Sequence, residues 1–429
     1  MKTIYKQKSL ISLIILSIFI ILPIILNILG NLNMNIIYST WPITNYILAI
    51  FGFLLLLIDI IYEKPKITKL IIISIIYLTI LLLACIFSNN PSLSLFGSMY
   101  RNETYFMYLA YFIFLYLGTN LNNEDQIFFI KELIIITVII SLITGFSTPK
   151  YSIIKENLLK NVFYNVNHLG YYLSISSLLG AFIFLNNKKH KYLYLLFYII
   201  SIAALISNNT FGSYLGILIS LLILLIIFIK NKQPVKNIIL IILPFILLSL
   251  FITNKNNSIV ITNFKDLFKD TKEITESYKQ NKNFDGEEIK KAGNRMELWT
   301  NGVKIIKERP LLGYGLENIQ TEYAKYNVNA DRPHNCFLEI WLNMGVIGVI
   351  IYLYYLLKQS QIIIKNIKTI DNITLGIYLS TISYFISSLF GNSMFYTTPY
   401  YFIFIGILIN RSKKYNILQT TIYKFNKNR

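Results

Sequence analysis

The sequence predicts an all-α polytopic membrane protein, with about twelve transmembrane helices and one large extracytoplasmic loop before the tenth. Three observations carry that prediction. Of the 429 residues, 55% are hydrophobic and 14% charged, with a mean hydropathy of +0.54. Apolar runs recur at roughly the 16 to 22 residues that a ~30 Å hydrocarbon core asks of a helix. A polar segment, 253–335, separates the ninth run from the tenth. Lipid offers backbone groups no partner, and no ten-residue alternation suggests a barrel, so the spans are expected to be helical.

In order, the runs lie near residues 9–29, 45–62, 68–88, 103–118, 127–147, 168–186, 191–207, 210–230, 235–252, 336–357, 372–390 and 397–411. With the N-terminus inside, 22 of the 40 Lys and Arg fall on inside segments, four (Arg101, Lys150, Lys155, Lys160) on short outside loops, and 14 on 253–335. The positive-inside rule then places both termini in the cytoplasm, and the long loop, too long for the rule to govern, outside. This partition also accounts for much of the formal charge of +19, so nucleic acid is not an expected partner. No small-residue cleavage site follows 9–29, so the first helix is expected to stay. Cys85 and Cys336 sit in or beside spans without metal or disulfide spacing.

The domain reading is a nine-helix bundle over 1–252, the loop 253–335, a three-helix part over 336–411 and a basic cytoplasmic tail over 412–429. The loop's first half is polar and low in aliphatics, so it is expected to be weakly structured or to fold only against the bundle. From Asn294, an expected N-cap, the next helix places Met296, Trp299, Val303 and Ile306 on one face and Glu297, Asn301, Lys304 and Glu308 on the other. Pro310 ends it, and a short amphipathic helix suited to the bilayer surface follows.

Arg332-Pro333-His334-Asn335 closes the loop and feeds directly into the tenth span. An imidazole beside a guanidinium at a helix mouth is a candidate for proton-transfer chemistry, although the same histidine alone also reads as a cap or packing residue. Glu339 lies one turn inside that span, on the face of Asn335, where a carboxylate is costly and often functional. Asp59 is expected to snorkel from the second span, and His190 sits among cytoplasmic lysines.

Taken together, Arg295 through Trp299, Pro310-Leu311-Leu312-Gly313-Tyr314-Gly315, Arg332-Pro333-His334-Asn335 and Gly345-Val346-Ile347-Gly348 resemble the signature of the O-antigen ligase family. FGSMYRNETYFMYL, with Arg101, and NVFYNVNHLGYYL, with Asn165, Asn167 and His168, resemble two upstream pieces of the same family, so the likeness spans about residues 90 to 350. The resemblance implies a glycosyltransferase of cell-surface polysaccharide assembly in the cytoplasmic membrane. Such enzymes move a glycan from an undecaprenyl pyrophosphate-linked donor to an acceptor hydroxyl, in the O-antigens to lipopolysaccharide. It implies His334 as general base and Arg332, Arg295 and Arg101 as diphosphate contacts, since guanidinium groups stabilise a leaving diphosphate without a metal. Asn335, Glu339, Asn167 and His168 are implied as supporting residues, His168 through bonds with Asn167. No cofactor or metal is expected, because no close acidic pair lies near the signature on an external segment.

One departure stands out. Where many O-antigen ligases have a further arginine after a short outer turn, this chain reads Asn208-Asn209-Thr210-Phe211-Gly212-Ser213-Tyr214. A diphosphate would then rely on other cations, or on the helix start near Thr210 to Ser213. A polymerase of the same lipid-linked units, a polysaccharide transporter and a non-catalytic envelope scaffold are the alternatives.

Overall fold

In the computed structural model, which describes residues 7–29, 34–63, 69–98, 101–145, 162–163, 165–187, 189–254, 257–258, 260–262, 264–265 and 295–427, each of the twelve apolar stretches carries a helix. These are α1 (Lys8–Leu29), α2 (Met34–Glu63), α3 (Lys69–Ile86), the short α4 (Pro91–Phe96), α5 (Tyr105–Asn120), α6 (Asn123–Gly145), α7 (Val166–Ser176) with α8 (Leu179–Asn186), α9 (Lys191–Ser207), α10 (Phe211–Lys230) and α11 (Val235–Phe251). After α12 (Arg295–Glu308) and α13 (Ile319–Ala324) come α14 (Cys336–Lys365), α15 (Asn372–Ser388) and α16 (Thr398–Lys427). Apart from a two-residue pairing of Thr253–Asn254 with Asn257–Ser258, the described fold is helical.

Among the described residues, six spans are long and apolar enough to cross a membrane: Lys8–Leu26, Thr40–Tyr62, Asn123–Thr144, Val166–Asn186, Phe211–Lys230 and Cys336–Lys365. Ile71–Ile86, Lys191–Ser207 and Val235–Phe251 are shorter apolar helices. Ile43, Ile47, Ile50, Phe51 and Leu54 on α2, and Ile239, Leu243, Ile246 and Leu250 on α11, are exposed. Such apolar faces suit lipid as their solvent. The chain is thus a multi-pass, all-α membrane protein.

The centre of the bundle is aromatic: Phe19, Trp41, Tyr111, Phe114, Phe163, Tyr172, Tyr396 and Tyr400 are fully buried. In lipid the drive for helix association is close packing rather than water exclusion. Accordingly α16 crosses α5 at Gly406 and Gly118, where a Cβ on Gly118 would come within 2.4 Å of the Ile403 carbonyl. Asp59 does not snorkel. It is buried, bonded to the Lys8 ammonium at 3.1 Å and to the Tyr116 hydroxyl at 3.1 Å, tying α1 and α5 to α2.

The loop's second half builds its own small core on α14. Leu298, Ile305, Ile306, Tyr314, Ile319, Tyr323 and Val328 pack with Leu342, and Trp341 covers them. The buried face of α12 is therefore rotated from the sequence reading: Leu298 and Ile305 are inside, whereas Val303 is 43% exposed. The apolar side of α13 likewise faces this core rather than a bilayer, with Ile319 and Tyr323 buried in it. Asn294, Lys150, Lys155, Lys160, the Met296 side chain and most of the loop's first half lie outside the described residues. The segment read as a tail continues α16 as helix to Lys427.

Two groups of hydrogen bonds help to hold the described part of the loop to the bundle. At the turn before α4, Asn89 donates to Glu322 (2.8 Å), the Asn90 amide donates to Asn318 Oδ1 (3.0 Å), and Asn318 Nδ2 donates to Ser94 Oγ (2.7 Å). The second group lies at a break in α14 at Gly345, whose φ of +67° is left-handed. There Tyr314 N donates to Leu342 O (2.8 Å), Gly315 N to Asn343 O (3.0 Å) and Val346 N to Pro310 O (2.8 Å). The loop's Pro310–Gly315 turn thereby supplies bonds that the interrupted helix lacks. Only glycine suits the break, since a Cβ there would lie 2.1 Å from the Leu311 carbonyl oxygen.

Candidate functional site

Three polar segments meet at one end of the bundle: Arg101–Thr104 ahead of α5, Asp331–Asn335 ahead of α14, and Gly391–Thr397 between α15 and α16. Each is set by a helix start. Thr104 caps α5 by accepting from Met107 N at 3.1 Å, and Asn335 caps α14 by accepting from Leu338 N at 3.0 Å. His334 is left-handed at φ +49°, an uncommon conformation for a non-glycine residue, and it turns the chain sharply into α14. Trp299 of α12 pins that turn, its indole N–H donating to Pro333 O at 2.9 Å.

Arg332 points inward. Its guanidinium is buried and donates to Glu317 Oε1 (2.8 Å) and the Ser393 carbonyl (2.9 Å), and pairs with Glu339 Oε1 (3.1 Å). Burial alone would lower its pKa, but the carboxylates of Glu339, Glu317 and Glu103 outweigh that and hold it above the ordinary range. Glu339 also accepts from Ser393 N (3.3 Å), so this one carboxylate binds the loop arginine to the α15–α16 turn. Glu103, buried beside the cluster, accepts from the Tyr111 hydroxyl at 2.6 Å.

Arg101 forms an ion pair with Asp331, and 31% of its side chain stays exposed. Arg295, at the start of α12, is half-buried. Both act on His334, whose pKa is lowered to about 4 by burial first, then by Arg295, Arg101 and Arg332. The ring is therefore neutral at neutral pH. Its Nδ1 faces the Asn392 amide nitrogen at 3.0 Å, and Asn392 Oδ1 is buried without a hydrogen-bond partner. The structure thus gathers all three expected arginines around the expected histidine, two with exposed surface and one locked in a buried ion-pair cluster.

Beside this end opens a cavity of about 1940 Å³, walled by α2, α3 and α5 with apolar side chains such as Ile50, Phe53, Ile75 and Ile113. It extends from Tyr46, Leu95 and Phe106 at the site end to Asp59 and Asn120 at the other. Tyr46 bonds Thr104 at 3.1 Å, three residues from Arg101.

Residues 196–353 match the O-antigen ligase family, from α9 through the loop to the broken part of α14. The chain is also 34% identical over 110 residues to a protein of Rickettsia conorii named "Putative polysaccharide ligase", covering 22% of this chain and 25% of that one. A protein of the same name from Rickettsia felis is 33% identical over 111 residues, covering 22% and 26%. An uncharacterised protein of Haemophilus influenzae is 29% identical over 107 residues, covering 23% and 27%. Over the matched stretch the chain is thus similar to the O-antigen ligase family and to proteins named as polysaccharide ligases. It spans about a quarter of the length of the curated relatives it matches.

In this O-antigen ligase-like chain, several site residues fall outside the matched stretch. His168 is buried and bonded through Nδ1 to the Tyr396 hydroxyl, not to Asn167, whose side chain is exposed at the start of α7. His168 nevertheless lies within electrostatic reach of Arg332, Arg101 and His334. The turn lacking the family arginine is packed against α7: Asn208 donates to Val166 O at 2.8 Å and Thr210 to the same carbonyl at 3.2 Å. Thr210 and Ser213 are buried, so that helix start faces protein rather than an open site. Cys85 and Cys336 are buried free thiols, and His190 is exposed. Among the described residues no group of three His, Cys, Asp or Glu is placed to hold a metal ion.

Sequence reasoning missed the Gly391–Thr397 turn, which supplies Asn392 to His334, Ser393 to Arg332 and Tyr396 to His168. Its signal was a polar turn that helix alternation puts on the same side as Arg101 and the long loop. Glu317 and Asp331, the carboxylate partners of Arg332 and Arg101, were missed as well.

Proposed function

We propose that this protein transfers a glycan from an undecaprenyl pyrophosphate-linked donor to an acceptor hydroxyl on the outer face of the cytoplasmic membrane. The observation that carries the proposal is His334, neutral and part-exposed, with Arg101, Arg295 and Arg332 close enough to depress its pKa. A neutral imidazole accepts the hydroxyl proton as the oxygen attacks the anomeric carbon, while guanidinium groups stabilise the charge growing on the departing diphosphate. Arg101 and Arg295 are the proposed diphosphate contacts. Arg332 donates to two carboxylates and a carbonyl, and its proposed role is to hold His334's segment in place and add positive potential.

The apolar cavity beside Arg101 supports a lipid-linked donor, since a polyprenyl tail lying between α2, α3 and α5 would bring its diphosphate to the site end. The names of the Rickettsia relatives support polysaccharide as the material transferred. In this reading the loop lies outside and both termini inside. The test is incubation of purified protein with undecaprenyl-linked glycan, with and without acceptor, followed by sizing. Glycan appearing on a second lipid, protein or wall acceptor is the expected result. A ladder on the lipid donor marks a polymerase, and full transfer by His334→Ala removes the proposed base.

A further inference from the structure

We infer that Asn392 is the positioning residue of His334: its amide oxygen accepts from Nδ1–H and so reserves Nε2 as the basic nitrogen. This rests on the base role proposed for His334. The amide plane can present either its nitrogen or its oxygen to the ring at the 3.0 Å separation seen. With nitrogen forward, Nδ1 accepts, the neutral ring carries its proton on Nε2, and no lone pair is left for an acceptor hydroxyl. With oxygen forward, the proton sits on Nδ1 and Nε2 is free to accept one.

The catalytic cycle separates the two orientations. When the ring takes a proton, both nitrogens become donors, and an amide N–H₂ facing Nδ1–H opposes donor to donor. An amide oxygen suits both the neutral and the protonated ring. Nothing else among the described residues bonds this amide, whose Oδ1 end is buried without a partner, so no competing contact fixes the nitrogen-forward orientation. The turn that carries Asn392 is itself anchored, through the Ser393 carbonyl to Arg332 and the Ser393 amide to Glu339. The side chain is thus delivered to the ring by the same cluster that holds the histidine's own segment.

A neutral partner also fits the charges facing the ring, which are Arg295 from α12, Arg101 ahead of α5 and Arg332 on its own segment. A carboxylate in place of the amide would favour the protonated imidazole and raise the pH below which the base is lost. An amide orients the ring without charging it.

The test is selective ¹⁵N-histidine NMR on the full chain in lipid nanodiscs. The three histidines permit assignment by His334→Gln and His190→Gln. The expected spectrum has His334 protonated at Nδ1, with its titration raised by about one pH unit or more in Asn392→Asp. In Asn392→Ala, both tautomers appear, and turnover falls about tenfold or more with KM within about twofold. An Nε2–H tautomer in the native chain, or an unmoved titration in a folded Asn392→Asp protein, overturns the inference. The native tautomer is read without donor or turnover, so full activity of His334→Ala would remove the base reading while this measurement still decides the bond.

Discussion

At His334, burial and three arginines act in one direction and bring the pKa to about 4 from 6.5. Between those values the unfolded chain binds a proton that the folded chain refuses, so this group makes stability fall as pH drops from 6.5 and level off below about 4. For activity, the base form persists through the same window. The acidic limb of kcat/KM due to this group is expected near pH 4, and a limb centred at 6.5 would contradict the assignment. The arginines divide by a different measurement. Arg332→Gln leaves Glu317 and Glu339 buried without their cation, which typically costs about 3–5 kcal/mol and should lower the unfolding temperature in detergent. Arg101→Ala and Arg295→Ala, at part-exposed positions, are expected to lower transfer by about tenfold or more while shifting the unfolding temperature little. Equal destabilisation by all three would show that no such division exists.

At the scale of elements, hydropathy made the helices legible because a lipid-spanning segment has few compositional choices. Helix ends and pairings were less so. The face of α12 was misread around Val303 because its partner, α14 with Leu342, lies 36 residues beyond Ile306 and leaves no local period. His334 and the three arginines were legible through a family pattern, whereas Asn392 was not. A lone asparagine in a turn gives no sign that folding will set it against a histidine 58 positions away. The glycines of the signature entered through the family pattern, but their task at the break in α14 needed the three-dimensional bonds. Gly345→Ala tests that task. A Cβ at φ +67°, 2.1 Å from the Leu311 carbonyl, cannot be accommodated without moving the Pro310–Gly315 turn. The expected outcome is loss of hydrogen-exchange protection in α12 and α13 with α5 and α16 still protected. Uniform protection everywhere would mean that the break tolerates a side chain and these bonds are not needed.

For the molecule as a whole, the apolar cavity has one end at Tyr46, which bonds Thr104 near Arg101, and its hydrocarbon walls run from there toward Lys8 and Asp59. From Tyr46 to Ile60 the α2 wall runs on the order of 20 Å at about 1.5 Å per residue, enough for several isoprene units. If the donor's tail lies there, it comes from bilayer hydrocarbon rather than water, so its affinity should rise with chain length only through packing against the walls and stop where they end. Narrowing the cavity then has a selective consequence. Ile75, 56% exposed on α3 and facing this space, can be enlarged to tryptophan without entering the buried core. Ile75→Trp should raise KM several-fold for a full-length undecaprenyl donor and leave a short-chain diphosphate donor unchanged, since the short tail does not reach the obstruction. Transfer rates measured with both donors in the same nanodiscs make the comparison internal to one protein preparation. Equal effects on the two donors would place the tail elsewhere on the bundle. No effect on either would leave the cavity to ordinary membrane lipid and reduce donor recognition to the headgroup contacts of Arg101 and Arg295.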